Sequence, residues 1–448
     1  MLLENIWTGN IWEHWEHLWN IWTHTNFWEW PIFRACPEIR PRSVSPSGGR
    51  MLALRRVDLA ARKRQRREQL RSGPDETRAP SSGTVHQPPL PTRARKERTM
   101  KGRPLVLAFA LGTATAFASA SAETPQPQQT GPAPKRVLFG IQTTPQDFSY
   151  PELVHIWQDA ESLGFDSAWV FDHFIPIMGA NVDGPCLEGW TLLSALAAKT
   201  SKIRIGVLVT GNTYRNPALL AKMATTVDHI SNGRLYLGIG AGWFELEHRA
   251  YGFLFYDEKE RARRLEEALQ VIKKLWTEDH PSFEGKYYRL ENAPFAPKNI
   301  QKPHPPIMIG GQGKKWIVPL VGRYGDAWNA PIGLSPEDIQ ERMKIIQREC
   351  DRVGRKPCDI EVSAFLVLYS ISDVPLAGPV LRLGARMIAG ERVQRSLLAG
   401  TPDEIAKRIQ SFVDVGVHHI IMNIQPKYDP ALLRRFATEV MPRFRGGT

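Results

Sequence analysis

Ser167-Ala168-Trp169-Val170-Phe171-Asp172-His173-Phe174 is a short apolar run that ends abruptly in an acid and a histidine. Its length and its branched and aromatic content suit a strand buried on both faces, as strands are in parallel sheets. In folds built on such sheets, chemistry is placed at the carboxyl ends of the strands. If Ser167 to Phe171 is such a strand, Asp172 and His173 stand at the rim of a site. A histidine held by a carboxylate is a suitable general acid or base, although the same pair could simply cap the next element.

The chain on either side repeats the pattern. Strand-like runs at 137–141, 203–209, 234–241, 307–310, 326–330, 360–368 and 418–424 join the opening one to make eight. Helical periodicity follows at 151–163, 190–199, 216–230, 257–277, 314–323, 335–353, 402–415 and 429–440. Alternation of this kind predicts an α/β fold with parallel strands, and eight units suffice for a (β/α)8 TIM barrel. A doubly wound open sheet is the alternative. Segments 278–305 and 371–400 exceed ordinary connections and read as insertions. Within the first, Phe283 to Tyr288 reads as a hairpin able to cover the barrel mouth.

Residues 1–99 do not share this pattern. Asn-Ile-Trp recurs at 5–7, 10–12 and 20–22, and the opening segment carries seven of the 14 tryptophans. Trp12, Trp15, Trp19 and Trp22 could share one face of an interfacial helix; a translated nucleotide repeat ahead of the true start explains the recurrence as well. Residues 1–99 hold 17 Lys and Arg against 10 Asp and Glu, and residues 100–448 hold 41 against 36. Much of the net charge of +12 therefore sits in a Pro- and Arg-rich extension that reads as disordered. The mildly basic remainder suits a small anionic ligand and gives no reason to invoke nucleic acid.

From Met100, Lys101 and Arg103 precede an apolar stretch to Ala118, and Ala120-Ser121-Ala122 offers a cleavage site. Residues 100–122 thus have the make-up of a secretory signal, and 123–135 that of a Pro/Gln linker. No stable membrane span is expected after processing. The expected location is exported or periplasmic if Met100 is the start, and cytoplasmic otherwise. No twin arginine precedes the stretch.

The mouth of such a barrel has further candidates. Gly238-Ile239-Gly240-Ala241-Gly242 and Gly310-Gly311-Gln312-Gly313 follow strands. Trp243 breaks the dinucleotide fingerprint, and Lys314-Lys315 lacks the spacing of a Walker loop. Backbone N–H groups at a strand end beside a helix start can still hold one phosphate. Glu188 lies in the loop after the opening strand. Glu245 is read as pointing at the mouth, with Glu247 and His248 as a helix-start charge cluster. No metal-ligand spacing is present, and Cys36, Cys186, Cys350 and Cys358 form no motif.

Several stretches, taken together, carry a resemblance. They are Trp-Val-Phe-Asp-His-Phe at 169–174, Ile-Gly-Val-Leu-Val-Thr-Gly-Asn-Thr-Tyr-Arg-Asn-Pro at 205–217, and Asp-His-Ile-Ser-Asn-Gly-Arg-Leu-Tyr-Leu-Gly-Ile-Gly-Ala-Gly-Trp at 228–243. Pro-Pro-Ile-Met-Ile-Gly-Gly at 305–311, Gly-Asp-Ala-Trp-Asn at 325–329 and Gly-Thr-Pro-Asp-Glu-Ile at 400–405 follow in order. Residues 136–445 resemble the luciferase-like class of coenzyme F420-dependent oxidoreductases, within the bacterial luciferase-like superfamily. The resemblance implies F420 as cofactor, with FMN as the alternative, at the carboxyl mouth of the barrel. It implies a cofactor contact for Asp172 and proton transfer for His173. It implies a non-proline cis peptide at Leu208–Val209 behind the cofactor ring, with Thr210 and Asn212 near that ring. Ala241 and Gly242 are further implied contacts, and Gly310 and Gly311 an implied phosphate turn. A homodimer is the family expectation.

Two departures bear on the substrate. The sugar-phosphate dehydrogenase branch has an aromatic residue where Ile177 stands, and a glutamate where Trp243 stands. Glu188 or Glu245 could supply the missing acid. The expected activity is hydride transfer between deazaflavin and a small organic substrate. An FMN monooxygenase and a non-catalytic deazaflavin-binding protein are the alternatives.

Overall fold

The computed structural model describes residues 136–177 and 181–445. The extension, the signal-like segment and the linker assigned to residues 1–135 lie outside the described residues.

Eight parallel strands close on themselves. They are β1 (Leu138–Thr143), β2 (Ser167–Val170), β3 (Arg204–Val207), β5 (Leu235–Gly240), β8 (Ile307–Gly310), β9 (Ala327–Ala330), β10 (Glu361–Ile371) and β12 (His419–Ile424). Pairing runs in that order, and β12 returns to β1 in register from Leu138↔His419 to Thr143↔Ile424. Ring closure excludes the open doubly wound sheet. All eight predicted strands are present. The run 203–209 differs in one respect: β3 stops at Val207, bulges through Leu208 and Val209, and resumes as β4 (Thr210–Gly211) against β5.

Helices cover the ring, and their sequences show why they start where they do. Helix α1 (Tyr150–Ser162) opens on a capping box between Ser149 and Glu152, and buries Leu153, Ile156, Trp157 and Ala160. After β2 comes α2 (Gly189–Ala197). Helix α3 (Pro217–Ile230) has Asn216 as its cap and Pro217 in its first turn. Following β5, the short α4 (Glu245–Ala250) leads to the long α5 (Glu258–Thr277). Helix α6 (Val318–Tyr324) starts later than the predicted 314, because the chain turns back on the Gly313 carbonyl first. Helix α7 (Pro336–Arg352) ends near Cys350, which is joined to Cys358 in a disulfide.

Both insertions are structured. Strands β6 (Phe283–Glu284) and β7 (Arg289–Leu290) form the expected hairpin, whose tip amides of Lys286 and Tyr287 donate to Glu267. Segment 371–400 holds α8 (Ala377–Ala389), α9 (Glu391–Ser396) and β11 (Leu397–Gly400), which extends the far end of β10. The ring is completed by α10 (Pro402–Val413) and α11 (Pro430–Arg435).

Inside the barrel, Trp169, Leu208, Tyr236, Met308, Ala327 and Ile421 make a separate packed plug. Trp169 lies against Gly206, where a Cβ would come within 2.5 Å of the indole ring. Below it, at the amino end of the strands, buried polar groups satisfy one another. Trp169 donates to Ser167 at 2.8 Å, Ser167 bonds His419 Nε2 at 2.8 Å, and Glu361 takes His419 Nδ1 at 2.7 Å and the Tyr236 hydroxyl at 2.8 Å. A hollow of about 340 Å³ opens beside them but holds none of the residues of the mouth.

Burial alone would raise the Glu361 carboxyl, but the bonds from His419 and Tyr236 outweigh it and bring it down to about 2, from 4.5. A depressed carboxylate contributes stability that is fully present above pH 4.5 and is lost as pH falls toward 2. Glu361→Gln is therefore expected to cost about 2–3 kcal/mol at pH 7. Urea unfolding midpoints at pH 7 and at pH 3 check this: the gap between wild type and variant narrows at the lower pH.

Candidate active site

The carboxyl end of β2 delivers Phe171, Asp172 and His173 to the mouth, and all three are buried. Each of the two polar residues meets a partner that the sequence does not place beside it.

Asp172 faces Arg215, with Oδ2 at 2.5 Å from Nη1 and Oδ1 at 2.9 Å from Nη2. The same guanidinium reaches Glu188 at 2.6 Å. Burial would weaken the Arg215 charge, but Asp172 and Glu188 outweigh it and hold the guanidinium firmly protonated. The Thr210 hydroxyl also donates to Asp172 and accepts from Trp190 Nε1 at 3.2 Å. Such a bidentate pair fixes the rim after β2 against the turn before α3. Glu188 is the cap of α2, taking the amides of Trp190 and Thr191. Its carboxyl, which burial would raise, is held below the usual range by those amides, the Thr191 side chain and Arg215. It is thus an ionised cap and ion-pair partner, which does not suit a proton donor.

His173 meets Glu247, not Glu245. Its Nδ1 lies 2.9 Å from Glu247 Oε2, and the Glu247 carboxylate is buried. Tyr214 donates to the same oxygen, and the Phe174 amide to Oε1. Burial would raise Glu247, but His173, Tyr214 and the Phe174 amide together hold it low. Tyr214 itself is pushed up by burial and by Glu247, so it remains a donor. An ionised Glu247 takes the proton of Nδ1, which leaves Nε2 as the basic nitrogen. Among the described residues nothing hydrogen-bonds Nε2.

The reading of Glu245 as the acid at the mouth, with Glu247 and His248 as a charge cluster, is thus corrected. Glu245 is exposed and pairs with Arg249 at 2.6 Å. His248 is buried, with Nδ1 on the Phe244 carbonyl at 2.7 Å and Nε2 on the Thr213 hydroxyl at 2.7 Å. Positions two apart on a helix face nearly opposite ways, so turning Glu247 inward turns Glu245 out.

The floor of the mouth is the β3–β4 bulge. Leu208–Val209 is a cis peptide bond, as the resemblance implies. The Leu208 carbonyl accepts from Gln142 at 3.3 Å, and Gln142 accepts from Asn423 at 2.8 Å. The Val209 side chain rests over Gly238, Gly240 and Gly310, where added Cβ atoms would meet it at 3.3, 3.0 and 2.8 Å. These glycines make room for the bulge. Gly311 has φ +137° and its N–H goes to the Asn329 carbonyl, while Gly242 has φ +78° with no room for a Cβ beside Thr213. The Gly310–Gly313 turn leads into α6 through residues 314–317, where the Ile317 and Val318 amides close on the Gly313 carbonyl. A hollow of about 260 Å³ beyond it is lined by Gln312, Ile332, Gly333, Glu391, Arg392 and Arg395. Arg395 is paired there with Asp338 at 3.1 Å and Glu391 at 2.7 Å.

Asn212 decides whether a ring with polar edges fits. Its side chain is buried beside the bulge, and Nδ2 donates to the Tyr288 hydroxyl of the hairpin at 3.2 Å. Among the described residues its Oδ1 has no partner. A buried acceptor left unmet costs about 1–3 kcal/mol, and an incoming N–H donor would satisfy it.

Residues 122–374 match the family model described as luciferase-like monooxygenase. The chain belongs to this family. The chain is 30% identical over 336 residues to the F420-dependent glucose-6-phosphate dehydrogenase of Segniliparus rotundus, covering 69% of this chain and 98% of that one. It is 27% identical over 332 residues to the enzyme of the same description from Amycolatopsis mediterranei, covering 68% and 98%. Among solved structures, an F420-dependent secondary alcohol dehydrogenase in complex with an F420–acetone adduct superposes with a TM-score of 0.60 at 23% identity, covering 69% of this chain and all of that one. The coenzyme F420-dependent tetrahydromethanopterin reductase of Methanopyrus kandleri does so at 0.57 and 21%, with the same coverage. These two likenesses show the barrel fold.

Arg215 and Tyr214 were not singled out by the sequence, and Glu247 was read only as part of a helix-start charge cluster. The signal for the first two was present in Asn-Thr-Tyr-Arg-Asn-Pro, where two large polar side chains precede a helix cap at a strand end. Cys186, which is free, packs its thiol on the His173 carbonyl at 3.4 Å. Burial, then Glu247, Asp147 and Asp172, push that thiol up to about 12.

Proposed function

We propose that this protein is a coenzyme F420-dependent oxidoreductase in which His173 handles the proton that accompanies hydride transfer. One observation carries the reading: the Glu247–His173 pair stands at the same mouth as the Leu208–Val209 bulge and the unmet Asn212 Oδ1. The names of the relatives support the choice of cofactor. When bound, the deazaflavin supplies a two-electron hydride donor or acceptor with poor oxygen reactivity.

The chain's own residues do the rest. With the cofactor bound, the bulge at Leu208 and Val209 would back the ring, and Asn212 Oδ1 would accept from its edge. Thr210 and Arg215 hold Asp172 at the rim, so Asp172 would meet the ring as a fixed carboxylate, not a mobile one. Ala241, Gly242, Gly310 and Gly311 offer backbone at close approach to the ring and phosphate side. Glu247 keeps Nδ1 protonated, and Nε2 takes or returns the substrate proton.

Cofactor titration tests this. Quenching of deazaflavin fluorescence is expected to give a Kd for F420 at least ten-fold below the Kd for FMN. A tighter FMN complex, with oxygen consumed on addition of reduced FMN, would support the flavin monooxygenase instead. Asn212→Leu should weaken F420 binding about ten-fold, the cost of one unmet hydrogen bond.

A further inference from the structure

Large apolar side chains are exposed in two groups. One borders the mouth: Trp243, whose ring centroid stands 5.6 Å from that of His173, with Leu246 and Leu254 beyond it. The other lies on α8.

Helix α8 is anchored through one residue. Gly378 is its buried position, with its amide on Glu404 at 3.0 Å and no room for a Cβ beside the Ala399 carbonyl. Val380, two positions on, faces nearly the opposite way. Leu383 and Met387 follow at three and then four positions, which keeps all three on one stripe. They are 68%, 56% and 78% exposed, and Val374 and Leu376 just ahead of the helix are exposed as well. An amphipathic helix that turns its apolar stripe outward has something other than the barrel to cover it.

The charge on the helix identifies the cover. Arg382 and Arg386 are its ionisable residues, and it holds no acid. Among the described residues the Arg386 side chain has no partner, while Arg382 and, on α9, Arg392 reach only the backbone carbonyls of Ala399 and Ile332. The acids at either end are committed: Asp373 to Arg435 at 2.6 Å and Glu391 to Arg395 at 2.7 Å. An apolar stripe flanked by uncompensated arginines complements an anionic lipid surface. There the apolar side chains enter the acyl boundary and the guanidinium groups stay with the phosphates. A second copy fits less well. A two-fold contact through α8 sets these arginines against their own kind, and a stable dimer takes about 20–30 residues a side.

We propose that α8 is an interfacial helix that seats the protein on an anionic membrane. No helix among the described residues is long and apolar enough to cross one, so the contact is with one leaflet. Strand β11 pairs with the last residues of β10 and fixes this insertion to the carboxyl end of the barrel, so the membrane lies on the side where the mouth opens. A stripe this short binds weakly by itself. The arginines supply the second signal, which makes the contact reversible and sensitive to salt.

The test uses the full chain with Cys36→Ser and Cys186→Ser, and with Met387→Cys carrying a polarity-sensitive nitrobenzoxadiazole. Vesicles of equal parts phosphatidylglycerol and phosphatidylcholine are expected to shift its emission to the blue. Phosphatidylcholine alone should bind on the order of ten-fold more weakly. Arg386→Gln should weaken binding about five-fold, and about 0.5 M salt should release the protein. Leu383→Ser/Met387→Ser, unlabelled, should no longer sediment with the mixed vesicles while its melting temperature is unchanged. Sedimentation of that variant along with the wild type, or a label that the vesicles leave unmoved, overturns the proposal. So does a label already blue-shifted in buffer: independent of protein concentration, the shift marks this chain's own residues as the cover, and dependent on it, a second copy.

Discussion

His173→Ala is expected to lower the rate of hydride transfer by about 10²–10⁴-fold while leaving the F420 Kd within two-fold. The imidazole is held by Glu247 on one side and by aromatic edges on the others, and no other acid or base among the described residues of the site is placed to replace it. Glu188 is committed to the α2 amides and Arg215, and Glu245 faces outward. Single-turnover kinetics following deazaflavin absorbance, alongside fluorescence titration of the cofactor, separate rate from affinity. Retention of rate would remove His173 from the chemistry. Loss of both rate and affinity would make it a structural part of the cofactor cradle.

Glu247→Gln is expected to cost on the order of 10²-fold in rate, although it changes one atom. Both carboxylate oxygens accept: Oε2 from His173 and Tyr214, Oε1 from the Phe174 amide. A glutamine must set its NH2 against one of these donors. If the NH2 faces Nδ1, the imidazole takes the other tautomer and presents an N–H where the base should be. A purely structural role for Glu247 would lower the melting temperature and leave the single-turnover rate of the folded variant unchanged. An unchanged rate would sink the pairing as a functional device.

Much of the architecture was legible because burial writes itself into sequence. Strands covered on both faces read as continuous apolar runs, and eight of them alternating with amphipathic helices have few ways to pack. The hairpin at 283–290 was legible for the same local reason. The contents of 371–400 were not: α8 buries only Gly378 and leaves Val380, Leu383 and Met387 exposed, so its apolar stripe faces no core among the described residues. The break in the third strand was also hidden, since Leu208 and Val209 are as apolar as the strand they interrupt.

For the site, position in the chain placed Asp172 and His173 at a strand end but said nothing of who would meet them. Glu247 lies 74 residues from His173, and Arg215 lies 43 from Asp172. In the six-residue α4, two acids stand two positions apart, and local pattern has no means to say which one turns inward.

By itself, then, the sequence determined the class of barrel, the strand end that carries the acid and the histidine, and the family those motifs belong to. These follow from short-range periodicity, which hydrophobic burial imposes along the chain. Only the tertiary structure decided that Glu247 orients His173, that Arg215 holds Asp172 and Glu188 together, and that Trp243 walls the imidazole. Those pairings depend on which helix faces a closed ring turns toward its mouth, and that is settled by packing between elements far apart in the chain.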